Sequence, residues 1–164
     1  MEEGGDSYGF AFGDLDADGL PDVGVANLGR RNSYYHNDGP QWVNLESAMH
    51  GSKGKTTLNG SGTLEPDTLV GATVELGPSS GVALVIVGFN AVFQPFKGGV
   101  LVPDPLPPSR IIVMPLDAFG KGAVQGRMPL SFPSGFSLIV QAWLPDPAAS
   151  FGWSASNALS MTTP

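Results

Sequence analysis

Gly81-Val82-Ala83-Leu84-Val85-Ile86-Val87-Gly88 is the stretch that decides the fold. It is a continuous apolar run of strand length, rich in β-branched residues and closed by glycine at both ends. Such a run predicts a strand in the middle of a sheet, buried on both faces. Working outward, similar short segments recur: Trp42-Val43-Asn44, Thr56-Thr57-Leu58, Gly62-Thr63-Leu64 and Leu69 to Leu76 precede it. Val100 to Val102, Arg110 to Leu116, Ala123 to Met128, Ser137 to Leu144 and Ala158 to Thr163 follow it. None has a helical period. Turn signals from Gly and Pro separate them at intervals of roughly 8–12 residues, the pattern of a sandwich. The expectation is an all-β chain whose residues 42–164 form a β-sandwich of jelly-roll or Ig-like kind.

Composition agrees with many short strands joined by turns. The 164 residues include 23 Gly and 15 Pro, and only 14% are charged, against roughly 25% in ordinary domains. A chain of this length buries about 68–70% of its unfolded surface, enough for a core without staples. It contains no cysteine, which excludes disulfides and thiolate metal sites. The net charge is −7, with eight Lys and Arg in all and no basic cluster beyond Arg30-Arg31. Phosphate neutralisation therefore has no source, and nucleic acid is not an expected partner. Met1-Glu2-Glu3-Gly4-Gly5-Asp6 is acidic where a signal peptide would be basic. No apolar stretch approaches the roughly 18 residues of a membrane span, so membrane insertion is not expected.

The residues before Trp42 carry different chemistry. In Gly13-Asp14-Leu15-Asp16-Ala17-Asp18-Gly19-Leu20-Pro21-Asp22 three carboxylates alternate, a glycine follows, and a fourth carboxylate closes the stretch. Calcium takes six to eight oxygen ligands at roughly 2.3–2.6 Å, and carboxylates at alternate positions of a tight loop converge on one point. The expected ligands are Asp14, Asp16, Asp18, the Leu20 carbonyl and Asp22, with Gly19 supplying the sharp turn. One bound calcium would bring the net charge of −7 to about −5. Phe10 and Phe12 before the loop, and Val23 and Val25 after it, alternate with period two as half-buried strands do. The loop is thus read as a hairpin connection. Without flanking helices it is not an EF-hand.

Residues Tyr8 to Gly39 resemble one FG-GAP or VCBS repeat, the unit that builds the blades of calcium-loop β-propellers. The resemblance rests on Phe12-Gly13-Asp14, on Asp16 and Asp18-Gly19, on Asp22-Val23-Gly24-Val25-Ala26-Asn27, and on Tyr34-Tyr35-His36-Asn37-Asp38-Gly39. It implies calcium held by the same five residues. A propeller closes with four to eight blades, whereas this chain has one copy of the motif. A single unit of strand, calcium loop, strand, turn and strand cannot bury its apolar face alone, so it is expected to pack on another surface. Because the sequence begins within the repeat, a longer secreted precursor is expected. Residues 42–164 in turn resemble the β-sandwich domain that ends many large secreted proteins of environmental bacteria. The matching stretches are Gly60-Ser61-Gly62-Thr63-Leu64, Pro95-Phe96-Lys97-Gly98-Gly99-Val100-Leu101-Val102-Pro103, Gln141-Ala142-Trp143, and Phe151 with Ser154-Ala155-Ser156-Asn157-Ala158-Leu159. This second resemblance implies fold and an extracellular or cell-surface location, and no chemistry.

No catalytic constellation emerges from the residues. His36 and His50 are the two histidines, and a nucleophilic triad needs a base oriented beside a nucleophile. His36 is read as a strand-end residue and His50 as a loop residue. Asp104 and Asp146 lie in Pro-rich turns, where Asp supports local backbone hydrogen bonds. Trp143, Trp153, Tyr34 and Tyr35 could offer flat rings to a glycan, and Gln141-Ala142-Trp143 is read as having one outward face. Asn59-Gly60-Ser61 has the form of a glycosylation acceptor. The expected organisation is a calcium-binding repeat over residues 1–41 followed by the sandwich. The expected function is that of a non-enzymatic, secreted structural protein that self-associates into a homo-oligomer or filament by strand complementation. The alternative is a calcium-dependent adhesion or carbohydrate-binding module of a larger protein.

Overall fold

The computed structural model describes residues 7–15, 21–35 and 42–164. Every strand pairing in it is antiparallel, and the described residues contain no helix. The chain divides into two compact units, Met1–Pro40 and Gln41–Pro164.

The first unit is a ribbon of β1 (Ser7–Gly13), β2 (Asp22–Asn27) and β3 (Ser33–Tyr35), in that order across the sheet. Gly13 pairs with Asp22, so the acidic stretch is the connection of a hairpin. Asn27 organises the next turn: its amide donates to Asn32 Oδ1 at 3.2 Å, and its Nδ2 donates to the Arg31 carbonyl at 3.1 Å. Residues directly opposite share a face. One face therefore carries Phe10, Phe12, Val23, Val25 and Tyr35, and the other Ala11, Gly24 and Tyr34. The two phenylalanines are not half-buried as their alternation suggests. Phe10 is 72% and Phe12 68% exposed, touching edge to face with centroids 5.7 Å apart. The physical reason is that three short strands form one layer, and among the described residues of this unit no second layer exists to cover them.

The second unit begins with β4 (Trp42–Asn44), β5 (His50–Gly51), β6 (Gly54–Lys55), β7 (Thr57–Ser61) and β8 (Leu69–Glu75). It continues with β9 (Val82–Gly88), β10 (Ala91–Phe96), β11 (Gly99–Pro103), β12 (Arg110–Pro115) and β13 (Gly122–Arg127). It ends with β14 (Ser137–Pro145), β15 (Trp153–Ala155) and β16 (Leu159–Thr162). The large sheet runs β12-β9-β14-β16-β4, with β15 also paired to β14, and the small sheet runs β13-β8-β7. Their inner faces share one core. Leu58, Ala72 and Val74 of the small sheet meet Ala83, Val85, Met114, Val140, Ala142, Leu144 and Leu159 of the large one. This is a two-sheet β-sandwich.

A further hairpin lies on the outer face of the large sheet. There β10 and β11 pair through a tight turn in which Lys97 and Gly98 both have positive φ, 48° and 85°. That geometry is the two-residue turn matched to strand twist, and it calls for glycine. Under this cover Ile86, Leu101 and Trp143 form a second cluster, and Val102, Ile139 and Ala158 a third. Val82–Gly88 is central, flanked by β12 and β14. Gln141 and Trp143 have no outward face, because the hairpin covers them; Trp143 is 1% exposed. One local expectation also differs from the structure, and one strand was not expected. Gly62-Thr63-Leu64 leaves the ladder, since Leu64 turns inward at φ 59° to plug the core. Ala91–Phe96 is a strand although Pro95 interrupts it, an arrangement open to a two-stranded hairpin with free edges.

Candidate functional site

The loop between β1 and β2 is built by register. The Gly13–Asp22 pair sets its neck, so Asp14 leaves the ladder on one side where Asp22 enters it on the other. Asp22 is fully buried, and its Oδ2 accepts the Leu15 amide at 2.7 Å. A buried carboxylate is stable as an anion only with donors or a cation about it. Of the five expected ligands, Asp14 and Asp22 are brought to the two ends of one short connection; Asp14 is exposed. Asp16, Asp18 and Leu20 lie outside the described residues. Among the described residues no three His, Asp or Glu side chains gather about one point. Carboxylates at both ends of a tight acidic loop suit a hard cation such as calcium.

The other singled-out residues are dispersed. His36, with the Asn37-Asp38-Gly39 turn, lies outside the described residues. His50 is exposed on β5. Asp104 Oδ1 accepts the Leu106 amide at 3.0 Å, a local turn bond. Asp146 is different. It is buried, and its Oδ2 accepts both the amide (2.7 Å) and the hydroxyl (2.9 Å) of Ser52, 94 residues away. It thereby pins the β5–β6 turn to the end of β14. Beside it the buried Ser154 Oγ has no hydrogen-bond partner. Asn59 is exposed on β7.

Of the aromatic residues, Trp143 is core, its Nε1 donating to Gln141 Oε1 at 3.0 Å. Trp153 is half-buried beneath Lys97, whose Nζ lies 5.3 Å from the ring centre. Tyr34 and Tyr35 are exposed and, being adjacent on β3, face opposite sides of the ribbon. Two apolar clefts open in the sandwich unit. One, of about 300 Å³, lies between the sheets and is lined by Val70, Val85, Val87, Ile112, Val124 and Val140 among others. The second, of about 240 Å³, lies between the large sheet and the β10–β11 hairpin and includes Leu84, Phe96, Ile111, Trp143 and Trp153.

Sequence reading placed a strand at Arg110 to Leu116, where β12 lies, and missed both clefts and the edge position of that strand. The only signal was the unbroken Ile111-Ile112-Val113 run; edge position belongs to topology. Comparison with protein families, with curated proteins and with solved structures finds no match to this chain.

Proposed function

We propose that this chain is an extracellular, non-enzymatic, calcium-binding structural protein that assembles with copies of itself through β-strand or blade complementation, as a filament or surface-layer subunit. The observation that carries the reading is the first unit. It presents Phe10 and Phe12 to solvent, and among the described residues β1 is an outer strand that pairs with β2 alone. A layer with free backbone groups and an uncovered aromatic face is completed by addition to another sheet. When the surface that completes it belongs to an identical subunit, the contact is heterologous, and one that does not close generates a filament. Calcium at Asp14, Asp16, Asp18, the Leu20 carbonyl and Asp22 is the lock, because binding to the folded loop alone stabilises it by mass action.

The test is the size distribution of the purified chain by light scattering and negative-stain imaging, in calcium and then in excess chelator. Filaments or large particles that dissociate on chelation are expected. A monomer in both conditions overturns the reading. The exposed Tyr34 and Tyr35 favour a second one, a calcium-dependent adhesion or glycan-binding module of a larger protein. It predicts a monomer retained on a polysaccharide column and released by chelator.

A further inference from the structure

The two long sides of the sandwich differ. At one, β4 and β7 are tied together across the sheets. Asn157 Nδ2 donates to Asn44 Oδ1 and to the Leu58 carbonyl, both at 3.1 Å, and Trp42 Nε1 donates to the Gly62 carbonyl at 3.0 Å. At the other side β12 and β13 are the outermost strands of their sheets, and among the described residues no hydrogen bond joins them. The inter-sheet cleft lies behind this open side, lined by Ile112, Val124, Gln125 and Gly126.

β12 is an edge without the usual protection. Edge strands are commonly blunted by charge, proline or a bulge within the strand. Here Arg110 and Pro115 stand at the ends, and the middle is Ile111-Ile112-Val113, exposed by 58%, 39% and 66%. The register with β9 is regular throughout, so no bulge turns the edge away. Ile112 pairs with Val85 and faces the inter-sheet cleft, while Ile111 pairs with Ile86 and faces the outer cleft. A strand laid along β12 alternates its side chains between the faces. It therefore meets an apolar cleft on each.

We infer that this edge is the acceptor of the assembly proposed above, on which the inference rests, and that its occupant is β1 of a second copy. Three observations select that occupant. The free backbone groups of β12 accept an extended strand, and β1 is itself the outer strand of its ribbon. Phe10 and Phe12 project from one face of β1 and Ala11 from the other. This order fits the phenylalanines into the larger inter-sheet cleft, with Ala11 lying against the outer one. Charge agrees as well. Residues 1–40 hold eight of the fifteen acidic residues and two of the eight basic ones, a net −6. At the β12–β13 edge Lys121 and Arg127 are already paired, with Glu75 at 2.8 Å and Asp67 at 3.2 Å, whereas the Arg110 guanidinium donates to the carbonyls of Pro108 and Ser109 and meets no carboxylate among the described residues.

The natural absence of cysteine makes the test direct. Two full-length variants of different tag mass, Ala11→Cys and Val113→Cys, are mixed in calcium, oxidised and resolved on non-reducing gels. A third, Ile112→Lys, is sized by light scattering, its fold checked by circular dichroism. The expected result is a mixed disulfide between the two variants and at least a tenfold loss of large particles for Ile112→Lys. Particles that persist in Ile112→Lys without any mixed disulfide overturn this edge as the acceptor and leave the assembly reading standing. Val113→Cys linking only to itself overturns it in favour of β12 pairing with β12. In a chain carrying both Ala11→Cys and Val113→Cys, a bond within one chain at every dilution overturns the exchange between copies. Absence of particles in the unaltered chain overturns both readings together.

Discussion

Asn157 is the residue on which one side of the sandwich depends. Its Oδ1 accepts the Leu58 amide at 2.8 Å while its Nδ2 serves the Leu58 carbonyl and Asn44, so one amide side chain takes the place of a neighbouring strand. Asn157→Ala leaves a buried N–H and C=O unpaired, and is expected to cost about 2–3 kcal/mol, read as a lower urea midpoint at unchanged slope. Ser154 is the contrasting case. Its buried hydroxyl has no partner, so Ser154→Ala is expected to be neutral or to stabilise by up to about 1 kcal/mol in the same measurement. Nearby, Gly51 shows why a small residue precedes Ser52. A Cβ there would stand 2.7 Å from Asp146 Oδ2 and 2.8 Å from Ser154 Cβ. Neither Asn157 nor Gly51 advertised itself in the sequence, because the groups they serve lie far off in the chain. The acidic loop did, since its alternating carboxylates stand close together in the chain.

At the scale of elements, β10–β11 is held to the large sheet by Gln141. Its Oε1 accepts the Val102 amide and Trp143 Nε1, both at 3.0 Å, and its Nε2 donates to the carbonyls of Val100 and Ser156, both at 3.1 Å. Gln141→Leu keeps the volume and strands these groups. It should destabilise by roughly 2–4 kcal/mol and raise hydrogen exchange first at the Val102 amide, the one N–H of the hairpin that Gln141 accepts. Equal protection in the variant would deny Gln141 this role. The connection from β12 to β13 supplies a pH test. Asp117 accepts the amides of Lys121 at 2.9 Å and Phe119 at 2.8 Å. The Lys121 amide bond, then those of Phe119 and Gly120 and the Lys121 charge, hold its carboxyl below the ordinary aspartate range against the opposing effect of desolvation. A lowered folded-state value means that the contribution is present above the unfolded value, about 3.9, and is lost as pH falls through the folded one. The Phe119 and Lys121 amide resonances should therefore titrate with a midpoint below about 3.9; one above it contradicts the turn geometry. Strand identity was legible at this scale wherever apolar runs were clean, as at Val82–Gly88 and Ser137–Pro145. The misses have physical causes. Ala91–Phe96 mixes Gln and Pro into a strand that is exposed throughout, and Trp153–Ala155 spans three residues, too few for a period. The covering of Gln141 and Trp143 depends on a hairpin folded over from forty residues away, which alternation along β14 cannot reveal.

At the scale of the whole molecule, the division into two units sets what a calcium titration should report. The acidic loop lies in the smaller unit, a single layer whose aromatic face is open, while the larger has a closed core between two sheets. A single layer whose aromatic face is uncovered has no core of its own among the described residues, so the smaller unit is expected to unfold first. Extracellular modules bind calcium with constants of about 10⁻⁴–10⁻³ M. At a hundredfold excess over such a constant, the proposed calcium lock would add about 2.7 kcal/mol to the folded loop and none to the sandwich. Calorimetry should then show two transitions in chelator, the lower moving upward with calcium and the upper holding still. Asp22→Asn keeps an acceptor for the Leu15 amide but removes one ligand charge, and should abolish most of that movement. A single transition insensitive to calcium in the unaltered chain would remove the metal lock. A calcium-dependent lower transition whose midpoint also rises with protein concentration would tie the lock to assembly, because mass action then acts through the metal and the neighbouring copy at once.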